Sequence, residues 1–317
     1  MNLALIGPGA MGEEHVQSFA RLGGVTPYLV AGPDPARLTA FADRYGFQHT
    51  TPDPMAAVAH PSVDIVVIAS PNAVHAEQAR AAITAGKHLL LEIPLAMSLA
   101  EAEELTDLAA ASDVVATAGY ISRYYPAIRA LKRRVDDGSV TVRHLICSLG
   151  TDKRENRNWK GHNRDWIDDL LWHHGMHVLD VVLELFPEDR LVDASMAVGG
   201  RHPVHGGVMD LGVTLRFASG SLATVALSYH SVAQFTRYTL IADGLFLELA
   251  QDAPGEGRTD LSQGRPFADL VDAQAADFLA ACRGGQPSPT PFGSVLPAMR
   301  LVDDLHTRHL LARMETT

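Results

Sequence analysis

Residues 4–12, ALIGPGAMG, constrain this chain more than any other stretch of it. They set Gly7-x-Gly9-x-x-Gly12 between an apolar, strand-like run and the start of a helical pattern. The first glycine permits a tight turn, and the second lets the backbone approach a pyrophosphate. The third lets helix and strand pack closely, with the helix N-terminus facing the phosphates. This spacing predicts a dinucleotide-binding turn with Gly7, Pro8, Gly9, Ala10, Met11 and Gly12 as cofactor contacts.

The alternation continues downstream. PYLVA, DIVVIAS, HLLLEI and DVVATAGY read as buried strands. Between them lie helical spacings at 13–22, at Leu38, Phe41, Ala42 and Tyr45, at 74–86, and after the capping box Ser98-x-x-Glu101. Such repeats imply an α/β protein whose residues 1–120 form a Rossmann domain with a doubly wound parallel sheet. After about Tyr120 a long helical region is expected to run to Leu185, broken by the polar stretch 151–169. Leu211, Val213, Leu215 and Phe217 then share one face, as do Ala223, Val225, Leu227 and Tyr229. Ser219-Gly220 and Asp243-Gly244 signal hairpins. With a terminal helical region over 267–314, residues 121–317 are expected to form an α+β domain for substrate binding and oligomerisation. Its sheet should be large, open and mostly antiparallel, with its bare apolar face buried in a homodimer.

A chain of 317 residues is long enough for two packed cores. A net charge of −11 argues against a nucleic-acid or anionic-membrane partner. It leaves room for a small anionic or cyclic hydroxylated substrate met by local arginines. Cys147 and Cys282 make no metal or redox spacing. The opening MNLALIG is too short for a signal peptide and no run approaches membrane-spanning length, so a cytoplasmic location is expected.

The second strand ends LVAGPDPAR, with Gly32 where a carboxylate would normally take the adenosine ribose hydroxyls. Its loss removes repulsion against a 2′-phosphate, and Arg37 lies close behind, which favours NADP over NAD. Asp34 competes with that reading, because its carboxylate can swing back to the ribose.

LLWHHGMHVLD, residues 170–180, holds three histidines in five residues. Spacing of four places His173 and His177 on one helical face, and His174 lies about 100° around the helix. Paired histidines four apart can ligate zinc, with Asp168 or Asp169 as a third ligand. No Glu stands between them as in metalloproteases, and no metal is expected. Packed core imidazoles and acid/base groups are the other readings, packing being the stronger one for His174.

With the glycine turn in place, IASPNAVHAEQARAAITAGKHLLLEIPLAMSLAEAEEL and AGYISRYYP resemble the glucose–fructose oxidoreductase/inositol dehydrogenase family over nearly the whole chain. The resemblance places Ser70, Pro71, Asn72 and His75 in a loop beneath the nicotinamide ribose. Glu92, Ile93 and Pro94 stand at the family's Glu-Lys-Pro motif. The family's lysine assists proton transfer, and here it is Ile93, so the acid/base work must sit elsewhere. The family carries an Asp and a His four apart on a helix facing the nicotinamide, and His173 and His177 occupy those positions. RDWIDDLLWHHGMHVLD with EIP is similar to the members that oxidise the cyclic hemiacetal of 4-carboxy-2-hydroxymuconate-6-semialdehyde to 2-pyrone-4,6-dicarboxylate with NADP. FTRY at 235–238 adds to that match.

The resemblance implies His177 as base, with His173 orienting or relaying. Arg123, Arg164 and Arg237 would receive substrate carboxylates as bidentate forks. Trp166 would wall the substrate ring and His174 would pack or orient beside it, while Trp172 suits a ring wall and a core equally. Two alternatives stay open beside this reading. One is a sugar or cyclitol dehydrogenase of the wider family, the other a dinucleotide-binding redox sensor that has lost catalysis.

Overall fold

The computed structural model describes residues 1–155, 157, 160–161, 167, 169–251 and 258–314. They fall into two compact units. The first comprises Met1–Ile121 and Phe267–Met299, the second Ser122–Pro266 and the chain from Arg300 on.

The first unit opens β1 (Asn2–Ile6), α1 (Ala10–Leu22), β2 (Thr26–Ala31), α2 (Pro35–Tyr45), β3 (His49–Thr51) and α3 (Pro54–Ala59). It continues β4 (Ile65–Ile68), α4 (His75–Thr84), β5 (His88–Leu91), α5 (Leu99–Ala110) and β6 (Ala116–Ala118). Six parallel strands lie in the order β3-β2-β1-β4-β5-β6. Helices covering both faces explain why β4, IVVI, is buried at all four positions. The order reverses between β1 and β4, and in such sheets ligands bind beyond the strand ends at that switch point. One half of the expected capping box forms, Ser98 Oγ accepting from Glu101 N–H at 3.3 Å, and the hydroxyl also donates to the Glu101 carboxylate at 2.8 Å.

The second unit contains α6 (Pro126–Asp136), β7 (Val142–Asp152), α7 (Met176–Glu184), β8 (Leu191–Val198) and β9 (Asp210–Phe217). It adds β10 (Leu222–Ser228), β11 (His230–Ala242), β12 (Leu245–Ala250) and β13 (Arg258–Asp260). A seven-stranded sheet runs β13-β12-β11-β7-β10-β9-β8, antiparallel except for the β10/β7 and β12/β13 pairs. β7 corrects the expectation that the chain from about Tyr120 to the polar stretch at 151 is helical. Val142, Leu145, Cys147 and Leu149 are buried on a strand flanked by β11 and β10, and that pairing overrides any helical spacing. α7 packs on β7 and β10, and Phe186, just beyond it, stacks on Phe217 at 4.1 Å. The opposite face exposes Ile146, Ile241 and Phe246, the last at 63%.

The terminal helices depart from the expected division at residue 121. α8 (Phe267–Cys282) belongs to the first unit, where Ala275, Phe278 and Leu279 join the core of Leu5, Val16, Phe19 and Val30. Phe19 and Phe278 meet edge to face at 6.4 Å. α9 (Phe292–Met314) is assigned to the first unit as far as Met299 and to the second from Arg300. Among the described residues no helix is long and apolar enough to cross a membrane.

Candidate active site

In the first unit the glycine turn has the geometry its spacing predicts. Gly7 adopts φ +94°, and a Cβ there would lie 2.5 Å from the Ala69 carbonyl oxygen. A Cβ on Gly12 would lie 2.3 Å from the Gly7 oxygen, so both positions exclude side chains by contact. Gly9 differs, with nothing within 4 Å of its Cβ position. It caps α1, and its carbonyl accepts from Glu13 N–H at 3.0 Å. Open space at the middle glycine, at the head of a helix and at the sheet's switch point, fits a dinucleotide pyrophosphate.

Beside that turn, Asp34 is committed to α2. Its Oδ1 accepts from Ala36 N–H at 3.0 Å and Arg37 N–H at 3.2 Å, capping the helix. Arg37 is exposed in the first turn of α2, and Gly32 is buried at the end of β2.

The loops after β4 and β5 are tied together from below. His75 is fully buried, with Nδ1 2.7 Å from the Pro94 oxygen and Nε2 2.9 Å from the Ser70 oxygen. This corrects its reading as a cofactor contact, because the ring clamps two loops and offers no surface to a ligand. Ser70 Oγ donates to Gln78 at 2.6 Å, while Pro71 is exposed and Asn72 half-buried on a short 3-10 turn. Ile93 is 3% exposed and precedes Pro94 through a cis peptide. Glu92 points back into the unit, where its carboxylate meets His15 Nε2 on α1 at 2.6 Å. Sequence reasoning missed His15, although a histidine three residues past Gly12 was the available signal.

In the second unit the histidines sit where the helix changes pitch. Residues Leu171–Gly175 make a π-helical turn, closed by Gly175 N–H on the Leu170 oxygen at 2.9 Å, before α7 resumes normal pitch. Asp169 starts it, its carboxylate accepting from the amides of Leu171 and Trp172 at 2.9 and 3.0 Å. That capping role replaces the one considered for Asp169 as a ligand. The His173 and His174 ring centroids are 4.6 Å apart and those of His173 and His177 6.1 Å, so three imidazoles gather. His174 Nδ1 hydrogen-bonds Tyr229 Oη at 2.9 Å. Tyr229 was legible only as a buried strand residue, not as a partner of the histidines. Trp172 is buried and meets His306 edge to face at 6.1 Å, which makes it core.

Arg123 and Arg237 do not face one carboxylate together. Arg123 forks onto Asp180 of α7, Nε and a terminal nitrogen donating at 2.7 and 2.6 Å, and also reaches Glu184 at 3.1 Å. This buried pair corrects its assignment to substrate. Arg237 pairs in register with Ser148 on the sheet face away from α7, its guanidinium 5.0 Å over Phe235. The backbone alternation of β11 therefore turns it from the histidine helix. Arg164, Trp166 and Asp168 lie outside the described residues. Among the described residues no group of three or more His, Cys, Asp or Glu side chains is arranged to hold a metal. Burial pushes the Cys147 thiol and the Tyr238 phenol well up, and the Tyr125 phenol to about 12, so none of them ionises near neutrality.

A doubly wound sheet with this turn at its switch point defines the first unit as a dinucleotide-binding fold. Residues 1–120 match the model described as "Oxidoreductase family, NAD-binding Rossmann fold" and residues 126–257 that described as "Bacterial oxidoreductases, C-terminal". The chain is 30% identical over 313 residues to 4-carboxy-2-hydroxymuconate-6-semialdehyde dehydrogenase of Sphingobium sp., covering 97% of this chain and 98% of the relative. It is 27% identical over 236 residues to levoglucosan dehydrogenase of Pseudarthrobacter phenanthrenivorans, covering 69% and 60%. Levoglucosan dehydrogenase in complex with NADH and L-sorbose superposes with a TM-score of 0.82 at 20% identity, over 97% and 96% of the two chains. GenD2 from gentamicin A biosynthesis, in complex with NAD, gives 0.83 at 19%, over 97% and 93%. The chain belongs to the glucose–fructose oxidoreductase/inositol dehydrogenase (Gfo/Idh/MocA) family.

Proposed function

We propose that the chain is an NADP-dependent dehydrogenase of a carboxylated cyclic hemiacetal. The substrate is the ring form of 4-carboxy-2-hydroxymuconate-6-semialdehyde or a close analogue, and the product is the lactone 2-pyrone-4,6-dicarboxylate. One observation carries this reading: three imidazoles gather across a π turn and the first turn of α7 in a chain whose motif lysine is Ile93. An isoleucine moves no proton, and an imidazole with an ordinary pKa of about 6.5 is suited to do so at neutral pH.

When bound, NADP supplies the acceptor for the hydride that leaves the hemiacetal carbon. His177 takes the proton of the ring hydroxyl on that carbon, whose oxygen becomes the lactone carbonyl. No water is consumed, since a hemiacetal yields a lactone directly. His173 positions His177 or relays its proton, and Tyr229 holds His174 beside them through their 2.9 Å hydrogen bond. Gly32 without a carboxylate, Asp34 turned into its helix and Arg37 exposed beside it support NADP over NAD. The apolar sheet face of Ile146, Ile241 and Phe246 supports a homodimer.

The relatives that act on levoglucosan and inositols favour a second reading, a neutral sugar or cyclitol as substrate. The test is absorbance at the reduced-nicotinamide band with NADP or NAD and a panel containing the hemiacetal, levoglucosan and myo-inositol. Turnover of the hemiacetal with NADP is expected, falling about 10²–10⁴-fold in His177→Ala. Full activity in that variant would sink the base assignment. Turnover of the cyclitol alone would move the substrate, and cofactor binding without turnover would make the chain a sensor.

A further inference from the structure

The proposed NADP preference rests on position 32 carrying no carboxylate, and the structure points to why none can be there. We infer that Pro8 determines cofactor specificity by keeping position 32 bare. Gly32 is not among the glycines with positive φ, so its backbone does not demand glycine. Space does. A Cβ at position 32 would lie 2.9 Å from Pro8 Cδ and 3.3 Å from Pro8 Cγ, with Leu38 Cδ2 behind it at 3.6 Å. The pyrrolidine ring has no rotamer that swings it aside, since it is closed onto its own backbone nitrogen.

Pro8 cannot retreat as a unit either. Its neighbour Gly7 donates to the Ala31 oxygen at 3.0 Å and is wedged against Ala69 on one side, with Gly12 packed under its carbonyl. The fingerprint turn therefore presses a rigid ring onto the tip of β2. An aspartate or glutamate there, the group that would take the ribose hydroxyls of NAD, is excluded by contact before its charge matters. Specificity on this account is a two-residue device: changing position 32 alone opens no NAD site, and removing the ring makes room for one.

The test is binding of NADPH and NADH to the full chain, followed by the fluorescence of the reduced nicotinamide and needing no substrate. Gly32→Asp is compared with Pro8→Ala/Gly32→Asp, and Gly32→Ala with Pro8→Ala/Gly32→Ala. The double variant with aspartate is expected to bind NADH about tenfold more tightly than Gly32→Asp. Gly32→Ala is expected to bind both cofactors more weakly than the wild type and to melt lower, and adding Pro8→Ala should recover both. Equal NADH affinity in the two aspartate variants would overturn the inference. So would a Gly32→Ala that matches the wild type, and this alanine pair decides the matter if Gly32→Asp does not fold. The preference itself fails separately. Wild type favouring NADH over NADPH would refute the NADP reading, while the paired comparisons still judge the contact with Pro8.

Discussion

At the scale of single residues, a few side chains join segments far apart in the chain. His15 and Glu92 are 77 positions apart in sequence yet hydrogen-bonded at 2.6 Å, and His15 has no solvent exposure. The bond ties α1, which starts at the glycine turn, to the loop that carries Ile93 and Pro94. Removing a buried hydrogen-bond partner of a carboxylate costs about 1–3 kcal/mol. His15→Ala is therefore expected to lower the melting temperature and weaken cofactor binding. His15→Gln, which keeps a donor, should recover part of both, and a variant as stable as the wild type would show the bond to be idle. His75 serves the neighbouring loops in the same way, holding the Ser70 and Pro94 carbonyls from within the core.

Between elements, the fork of Arg123 onto Asp180 fastens the start of the second unit to α7, the helix that follows the histidine turn. Both side chains are buried, so truncating one strands a charge. Arg123→Ala is expected to cost about 3–5 kcal/mol in denaturant unfolding, and Arg123→Met with Asp180→Leu much less, since paired apolar replacements leave no orphan. A second element-level device is the loop between β8 and β9. His202 and His205 stack there with centroids 3.8 Å apart and rings 2° from parallel. Their Nδ1 atoms accept from Val204 N–H and Gly207 N–H. Burial, and then the neighbouring His202, push the His205 imidazole below its ordinary value. A depressed histidine stabilises the fold where it is neutral, so this contribution is whole above about pH 6.5 and fades as pH falls below it. Hydrogen-exchange protection at Val204 and Gly207 should drop between pH 8 and pH 5. Protection that stays level would mean the stack is indifferent to charge.

For the whole molecule, the sheet of the second unit has one face covered by α7 and another carrying Ile146, Ile241 and Phe246 in the open. If that face pairs two copies, Ile241→Glu/Phe246→Glu should sediment as a monomer where the wild type sediments as a dimer. A wild-type monomer would refute the pairing. The elements legible in the sequence are those whose causes are local. Gly7, Gly9 and Gly12 act within one turn, Ser98 and Glu101 within another, and β4 declares itself by an unbroken apolar run. β7 escaped because its alternation acquires meaning only between β10 and β11; α8 was legible as a helix but not as part of the first unit, because Phe278 meets Phe19 from the far end of the chain.

By itself, then, the sequence determined the dinucleotide turn, the parallel alternation of the first unit, the loss of the motif lysine and the family. Each depends on residue type at short spacing, which folding does not alter. Only tertiary structure decided what the polar side chains are for. It committed Arg123 to Asp180 and turned Arg237 to the far face of the sheet. It set Tyr229 on His174 across 55 positions and laid Pro8 against Gly32. The physical reason is that a charge or a ring acts over a few ångströms, and which groups come that close depends on packing between segments remote in the chain.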